Sequence, residues 1–130
     1  MTNANTAQAR QTKYCNAIKQ ALINLGHATN NDLLYELRQT YPDLSATTVH
    51  RATSRLASRG EISVAPASRD GSMRYDAKIK AHDHFLCDNC GSLMDIDVKH
   101  KLSAMLNDSI CDCQITGRLV ISGICKNCLI

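Results

Sequence analysis

Two Cys-x-x-Cys pairs, Cys87-Asp88-Asn89-Cys90 and Cys125-Lys126-Asn127-Cys128, carry the clearest chemistry in this chain. Two intervening residues let both thiolates of a pair reach one ion from a tight turn, and Gly91 and Gly123 suit such knuckles. Four thiolates match the soft, tetrahedral preference of a structural Zn2+. One or two redox-active dithiols are the competing reading, weaker because the matched pairs bracket a sub-domain too small to stand alone. The ion would tie the last strand of that half to its first and add metal-binding energy to folding energy. Of the seven cysteines, Cys15, Cys111 and Cys113 are left over. Cys15 lies near an apolar helical stripe and reads as packing. Cys111 and Cys113 read as free thiols at a helix-to-strand turn, with a reactive pair as the alternative.

Histidines and aspartates form a second group. His82 and His84 are two apart, so on a strand both imidazoles project to one face. Asp76 lies six residues before His82, Asp95 follows the first cysteine knuckle, and His27 follows the first helix. Three imidazoles and two carboxylates suit five- or six-coordinate Fe2+ or Mn2+ better than tetrahedral zinc. Only the His82/His84 pair is local, however, and scattered histidines and aspartates are commonly just surface.

The elements that must hold these residues fall into two groups. Residues 10–26 carry a helical stripe of Tyr14, Ile18, Ala21, Leu22 and Leu25, stopped by Gly26. A second helix is expected from about Asn31 to Tyr41, with Leu33, Leu34 and Leu37 inward and Pro42 ending it. Ser45 can cap a third, with Val49, Ala52 and Leu56 buried and Gly60 as its stop. Glu61–Ala65 and Met73–Ala77 are strand candidates flanking the turn-forming Ser68-Arg69-Asp70-Gly71-Ser72. Three helices and a small hairpin make a winged helix. The outward side of the third helix holds Thr47, His50, Arg51, Ser54, Arg55 and Ser58. Arginines and short hydroxyls are what major-groove recognition uses, although an ordinary solvated face would look the same.

Residues 78–81 read as a hinge or linker between a DNA-binding domain at 1–77 and a dimerisation and metal-binding domain at 82–130. The second domain is expected to hold a strand over His82–Cys87, a helix from about Val98 to Asn107, and a strand near Leu119–Ile124. Val98, Leu102, Met105 and Leu106 share one face of that helix. So small a unit cannot close a core alone, and its apolar face is expected to pair with a second copy. The fold class is therefore α+β: an N-terminal winged helix-turn-helix with a small C-terminal α/β dimerisation domain built on a four-cysteine zinc site.

Composition agrees with this reading. The 130 residues include no Trp and one Phe, so a large aromatic core is excluded. The net charge is +3, but between Arg38 and Arg74 lie Arg51, Arg55, Arg59 and Arg69 against Asp43, Glu61 and Asp70. A basic first half suits a modest DNA-binding module. No stretch approaches the roughly 18 apolar residues of a membrane span, and the polar N-terminus lacks a signal-peptide core. A cytoplasmic location is expected, where cysteines serve as ligands or reactive thiols more often than as disulfides.

From about Arg10 to its C-terminus the chain resembles the ferric uptake regulator family. The matching blocks are Gly26-His27-Ala28-Thr29, Asp32-Leu33-Leu34, Ser45-Ala46-Thr47-Thr48-Val49-His50-Arg51, Arg74-Tyr75-Asp76 and His82-Asp83-His84-Phe85-Leu86-Cys87-Asp88-Asn89-Cys90-Gly91, followed by Asp95 and Gly123-Ile124-Cys125-Lys126-Asn127-Cys128. The resemblance implies a homodimer that binds palindromic operator double-stranded DNA, a structural zinc and a regulatory metal at the hinge. It assigns that metal to His27, Asp76, His82, His84 and Asp95. The implied function is metal-dependent repression of transcription.

Two Asp ligands resemble the peroxide-sensing branch, because iron-uptake members more often carry Glu at one or both positions. Zinc-uptake members tend to place a cysteine near Asp76, which this chain lacks. Ala81, Leu102 and Gly117 stand where some iron regulators hold an additional site. In the peroxide-sensing reading, oxidation of His27 or His82, or loss of metal, releases DNA; an iron-uptake repressor responding to Fe2+ is the alternative. Such a reaction inactivates the sensor and is not turnover, so no enzyme, small organic substrate or membrane partner is expected. A zinc-ribbon interaction module would not need Thr47, Arg51 and Arg55 on one face. A cysteine redox enzyme would need a low-pKa thiolate in a cleft. The chain departs from the family at His50, where a Tyr is usual, and at Cys15, where an Arg is common. Cys111 and Cys113 have no counterpart there.

Overall fold

The structure is a computed structural model that describes residues 2–129, with side chains from Lys13 onward. It divides into two compact units, Met1–Ile79 and Lys80–Ile130.

In the first unit, helix α1 (Thr2–Leu25) begins well before the expected stripe, because Ala and Gln extend a helix and nothing there breaks it. Ile18 and Leu22 are fully buried, whereas Leu25, expected inward, is 43% exposed at the helix end. Gly26 takes a left-handed φ of 82°, and its N–H closes the helix on the Leu22 carbonyl at 2.8 Å. A strand absent from the sequence reading follows, β1 (His27–Thr29). Three residues are too few to show an alternating pattern. Thr29 then caps α2 (Asn30–Leu37) in a capping box: its hydroxyl accepts from the Asp32 N–H, and the Asp32 carboxylate accepts from the Thr29 N–H. α2 stops short of the expected Tyr41 because the chain tightens after Leu37, whose carbonyl accepts from both Thr40 and Tyr41.

Ser45 caps α3 (Ala46–Ser58) through the Thr48 N–H, and Val49, Ala52, Thr53 and Leu56 form its buried side. Gly60, at φ 71°, ends it. Strands β2 (Ser63–Ala65) and β3 (Arg74–Asp76) form the wing, and β1 adds to the other edge of β3, giving an antiparallel sheet ordered β1-β3-β2. The apolar core lies within this unit, from Ile18 and Leu22 through Leu33, Val49 and Leu56 to Tyr75, with Cys15 packed against it. The unit is a winged helix, as expected.

The second unit is a three-stranded sheet ordered β5-β4-β6, from β4 (Asp83–Cys87), β5 (Leu93–Ile96) and β6 (Val120–Gly123). β5, unforeseen in the sequence, pairs antiparallel with β4, and β6 pairs parallel with it. Helix α4 (Lys99–Leu106) joins β5 to β6 and buries none of its residues; Met105, on the face expected to meet a second copy, is 75% exposed. Among the described residues of this unit, the buried side chains include Cys87, Asp83 and His84 rather than an aliphatic core. Asp83 ties the unit together: one carboxylate oxygen accepts from the Leu119 N–H at 3.0 Å, the other from the Lys99 N–H at 2.9 Å. The Leu119 amide, and after it the Lys99 amide, hold this carboxyl below its usual range against the opposing effect of burial. Among the described residues, no helix is long and apolar enough to cross a membrane.

Candidate metal centres and recognition helix

The end of β4 turns tightly through Cys87-Asp88-Asn89-Cys90, with the Gly91 N–H on the Cys87 carbonyl at 2.9 Å and Gly91 at φ 77°. Parallel pairing sets Cys87 beside Gly123, and the Asp88 N–H on the Gly123 carbonyl at 2.7 Å brings the second knuckle against the first. Gly123 allows a close approach here, since a Cβ would sit 3.1 Å from the Phe85 ring. Cys87, Cys90, Cys125 and Cys128 thereby place their sulfurs within 4.8 Å of one another, with Cys90 and Cys125 at 3.7 Å. Four sulfurs bound at about 2.3 Å to a tetrahedral zinc lie about 3.8 Å apart, so the quartet fits that ion.

Its electrostatics agree. The Cys90 and Cys125 amides point at the Cys87 sulfur, at 3.4 and 3.3 Å, and hold that thiol down to about 6. Ser92 lowers Cys90 through its hydroxyl, 3.2 Å from the sulfur. Cys128, although Asn89 favours its ionised form, is pushed up to about 11 by Cys125, by burial and by the other sulfurs. Four thiolates this close repel one another, and a divalent cation removes the conflict.

The histidines and aspartates stand on paired strands within each unit, except His82, which lies just before β4. In the first, His27 and Asp76 are register partners across β1 and β3, with His27 Nε2 at 3.2 Å from Asp76 Oδ2. Asp76 is buried, and its Oδ1 accepts from the Lys78 N–H at 2.8 Å, which fixes the carboxylate. In the second, His84 and Asp95 are register partners across β4 and β5. Asp95 Oδ1 lies 3.2 Å from His82 Nε2 and 3.3 Å from His84 Nε2, and the two rings are 4.5 Å apart. His82 Nδ1 sits 2.9 Å from the Lys80 carbonyl, which can only accept. A neutral His82 therefore carries its hydrogen on Nδ1 and turns the Nε2 lone pair toward a carboxylate oxygen, an arrangement that a cation stabilises. Asp95 was expected from sequence as the second carboxylate, and β5 supplies the register that sets it opposite His84; Asp83, which anchors the strand beside the two histidines, was not singled out from sequence.

On α3, Thr47, His50, Arg51 and Ser54 are exposed and Arg55 is half-buried, opposite the core-facing residues. His50 and Ser54 also line a concavity of about 570 Å³ with Val64, Met73 and Tyr75 of the wing. Cys111 and Cys113 are exposed after α4, where Cys111 and Asp112 adopt φ of 53° and 59°.

Residues 6–112 match the pattern of the ferric uptake regulator family. The peroxide operon regulator of Bacillus subtilis is 28% identical over 131 aligned residues, covering 92% of this chain and 83% of that protein. Among solved structures, the Campylobacter jejuni peroxide stress regulator superposes with a TM-score of 0.75 at 20% identity, covering 98% of this chain and 97% of the other. The Helicobacter pylori ferric uptake regulator, described with three functional metal-binding sites, gives 0.72 at 21% identity over 98% and 90%. At such identities these two likenesses establish the fold.

Proposed function

The chain belongs to the ferric uptake regulator family, and from that premise we propose that it is a metal-dependent transcriptional repressor of the peroxide-sensing kind. The observation that carries the reading is the pair of His–Asp half-sites, His27 with Asp76 and His82 with His84 and Asp95. Asp76 and His82 are six residues apart in the sequence, a link that spans at most about 21 Å. One Fe2+ or Mn2+ shared by both would select the arrangement in which all five ligands converge and shift the population toward it. In that arrangement the recognition helices of a dimer meet successive major grooves of a palindromic operator through Thr47, His50, Arg51, Ser54 and Arg55.

The four-cysteine zinc supports the second unit, whose exposed Met94, Met105, Val120 and Ile121 suit a second copy of the chain. His27, Asp76, His82, His84 and Asp95 would hold Fe2+, which when bound would mediate the splitting of one peroxide, one oxygen going to a ring carbon of His27 or His82, which is oxidised by two electrons, and the other leaving as water. The relatives named for peroxide response support this branch, and both carboxylate donors being Asp agrees with it. The test is His82→Ala and Asp76→Ala in the zinc-loaded protein. Each is expected to abolish the Mn2+ stimulation of DNA binding with zinc content unchanged. Retained Mn2+ dependence in both would remove the shared site.

A further inference from the structure

His50 is the outward residue of α3 whose hydrogen-bonding character is ambiguous, because a neutral imidazole presents a donor or an acceptor according to its tautomer. Two side chains, Thr53 and Asn30, bear on that choice. Thr53 is fully buried, and its hydroxyl lies 2.8 Å from Asn30 Oδ1, 3.1 Å from the Val49 carbonyl and 3.1 Å from the His50 carbonyl. It has one hydrogen to give. The contact with Asn30 Oδ1 is the shortest of the three. The Thr53 hydroxyl therefore donates to Asn30 Oδ1, which fixes the amide with Nδ2 pointing the other way. That Nδ2 lies 3.2 Å from His50 Nδ1. An amide nitrogen can only donate, so Nδ1 accepts, and the ring hydrogen of a neutral His50 sits on Nε2.

We infer that Asn30, oriented by Thr53, is a positioning residue that presents His50 to DNA as an Nε2–H donor, making His50 a reader of a purine N7 in the major groove. The inference rests on the DNA-binding reading above and deepens it. A donor on Nε2 is met in the major groove by N7 of either purine, by guanine O6 and by thymine O4, and is opposed by the amino groups of cytosine and adenine; N7 is the acceptor that both purines share. The relay runs from a buried residue of α3 through the first residue of α2 to the exposed face, so its geometry is set by helix packing.

The test has two arms on the full-length, zinc-loaded protein. Nitrogen-15 NMR at pH 8, well above the roughly 6.5 of an ordinary imidazole, is expected to place the His50 proton on Nε2. In Asn30→Asp a carboxylate oxygen faces Nδ1 and only accepts, so a proton is expected on Nδ1. A proton on Nδ1 in the unsubstituted protein overturns the inference. In the second arm, the Mn2+-loaded protein selects a duplex from a randomised pool, and each purine of one half-site is replaced by its 7-deaza analogue. One position is expected to lose roughly tenfold in affinity in the unsubstituted protein and to lose nothing further in His50→Ala. If no position behaves so while Nε2 carries the proton, the purine contact is refuted. If no duplex is bound at all, the repressor reading fails, and the purine contact fails with it.

Discussion

Removing the Asp83 carboxylate should loosen the second unit more than any exposed substitution there. Asp83 is 4% exposed and accepts from two backbone amides, Lys99 at the start of α4 and Leu119 at the entry to β6. The N-cap position of α4, Val98, supplies no side-chain bond, so Asp83 caps that helix from the neighbouring strand. Hydrogen bonds to a charged group contribute about 1.5–3 kcal/mol each. Two would give about 3–6, and water reaching the freed amides recovers part, so Asp83→Ala should cost about 2–4 kcal/mol. Against a typical total of about 5–15 kcal/mol that is a large share. Asp83→Asn keeps one acceptor oxygen and should lose about half as much. The assay is urea unfolding of the zinc-loaded protein at fixed concentration, since association shifts apparent stability. Hydrogen exchange at Lys99 and Leu119 localises the effect. A loss below about 1 kcal/mol with both amides still protected would refute the anchoring role.

Cys87→Ser or Cys125→Ser should cost zinc and folding of the second unit together, because each opens a closed tetrahedral site whose binding energy is folding energy; metal analysis with ultracentrifugation checks this, and a zinc-free variant that remained a folded dimer would contradict it. Gly123→Ala should destabilise by about 1–3 kcal/mol, since the new methyl meets the Phe85 ring at 3.1 Å. Phe85→Leu in the same chain should recover part of that loss, and no recovery would place the strain elsewhere. Arg51→Ala should weaken operator binding and leave assembly intact. If Arg51 reads a guanine edge, about 1–3 kcal/mol is lost at one base; a uniform loss with a shallower salt slope marks a phosphate contact, and unchanged affinity removes Arg51 from the interface.

What could be read from sequence was what is local. Ser45 and Gly60 bracket α3 through their own backbone preferences, and the Cys-x-x-Cys knuckles are encoded by spacing; both stand where expected. β1 and β5 were missed because three or four residues give no period, and each exists only through its partner strand. Their absence hid the register that sets His27 opposite Asp76 and His84 opposite Asp95. Asp83 carries a signal that alternation could have given: between two histidines on one face of a strand it points to the other, where α4 begins. The Asn30–His50 contact joins α2 to α3 across twenty residues, and no spacing rule announces it.

The central claim is that one redox-active ion, held by His27, Asp76, His82, His84 and Asp95, couples peroxide to DNA release. The most direct measurement is operator binding by the Fe2+-loaded and Mn2+-loaded proteins before and after mild peroxide, with mass spectrometry of the peptides containing His27 and His82. The Fe2+ protein should lose its operator and gain the mass of one oxygen atom on one of those peptides, while the Mn2+ protein keeps both its operator and its mass. An Fe2+ protein that holds DNA through peroxide with its histidines unmodified would contradict the account, and oxidation confined to Cys111 and Cys113 would replace it with a thiol sensor.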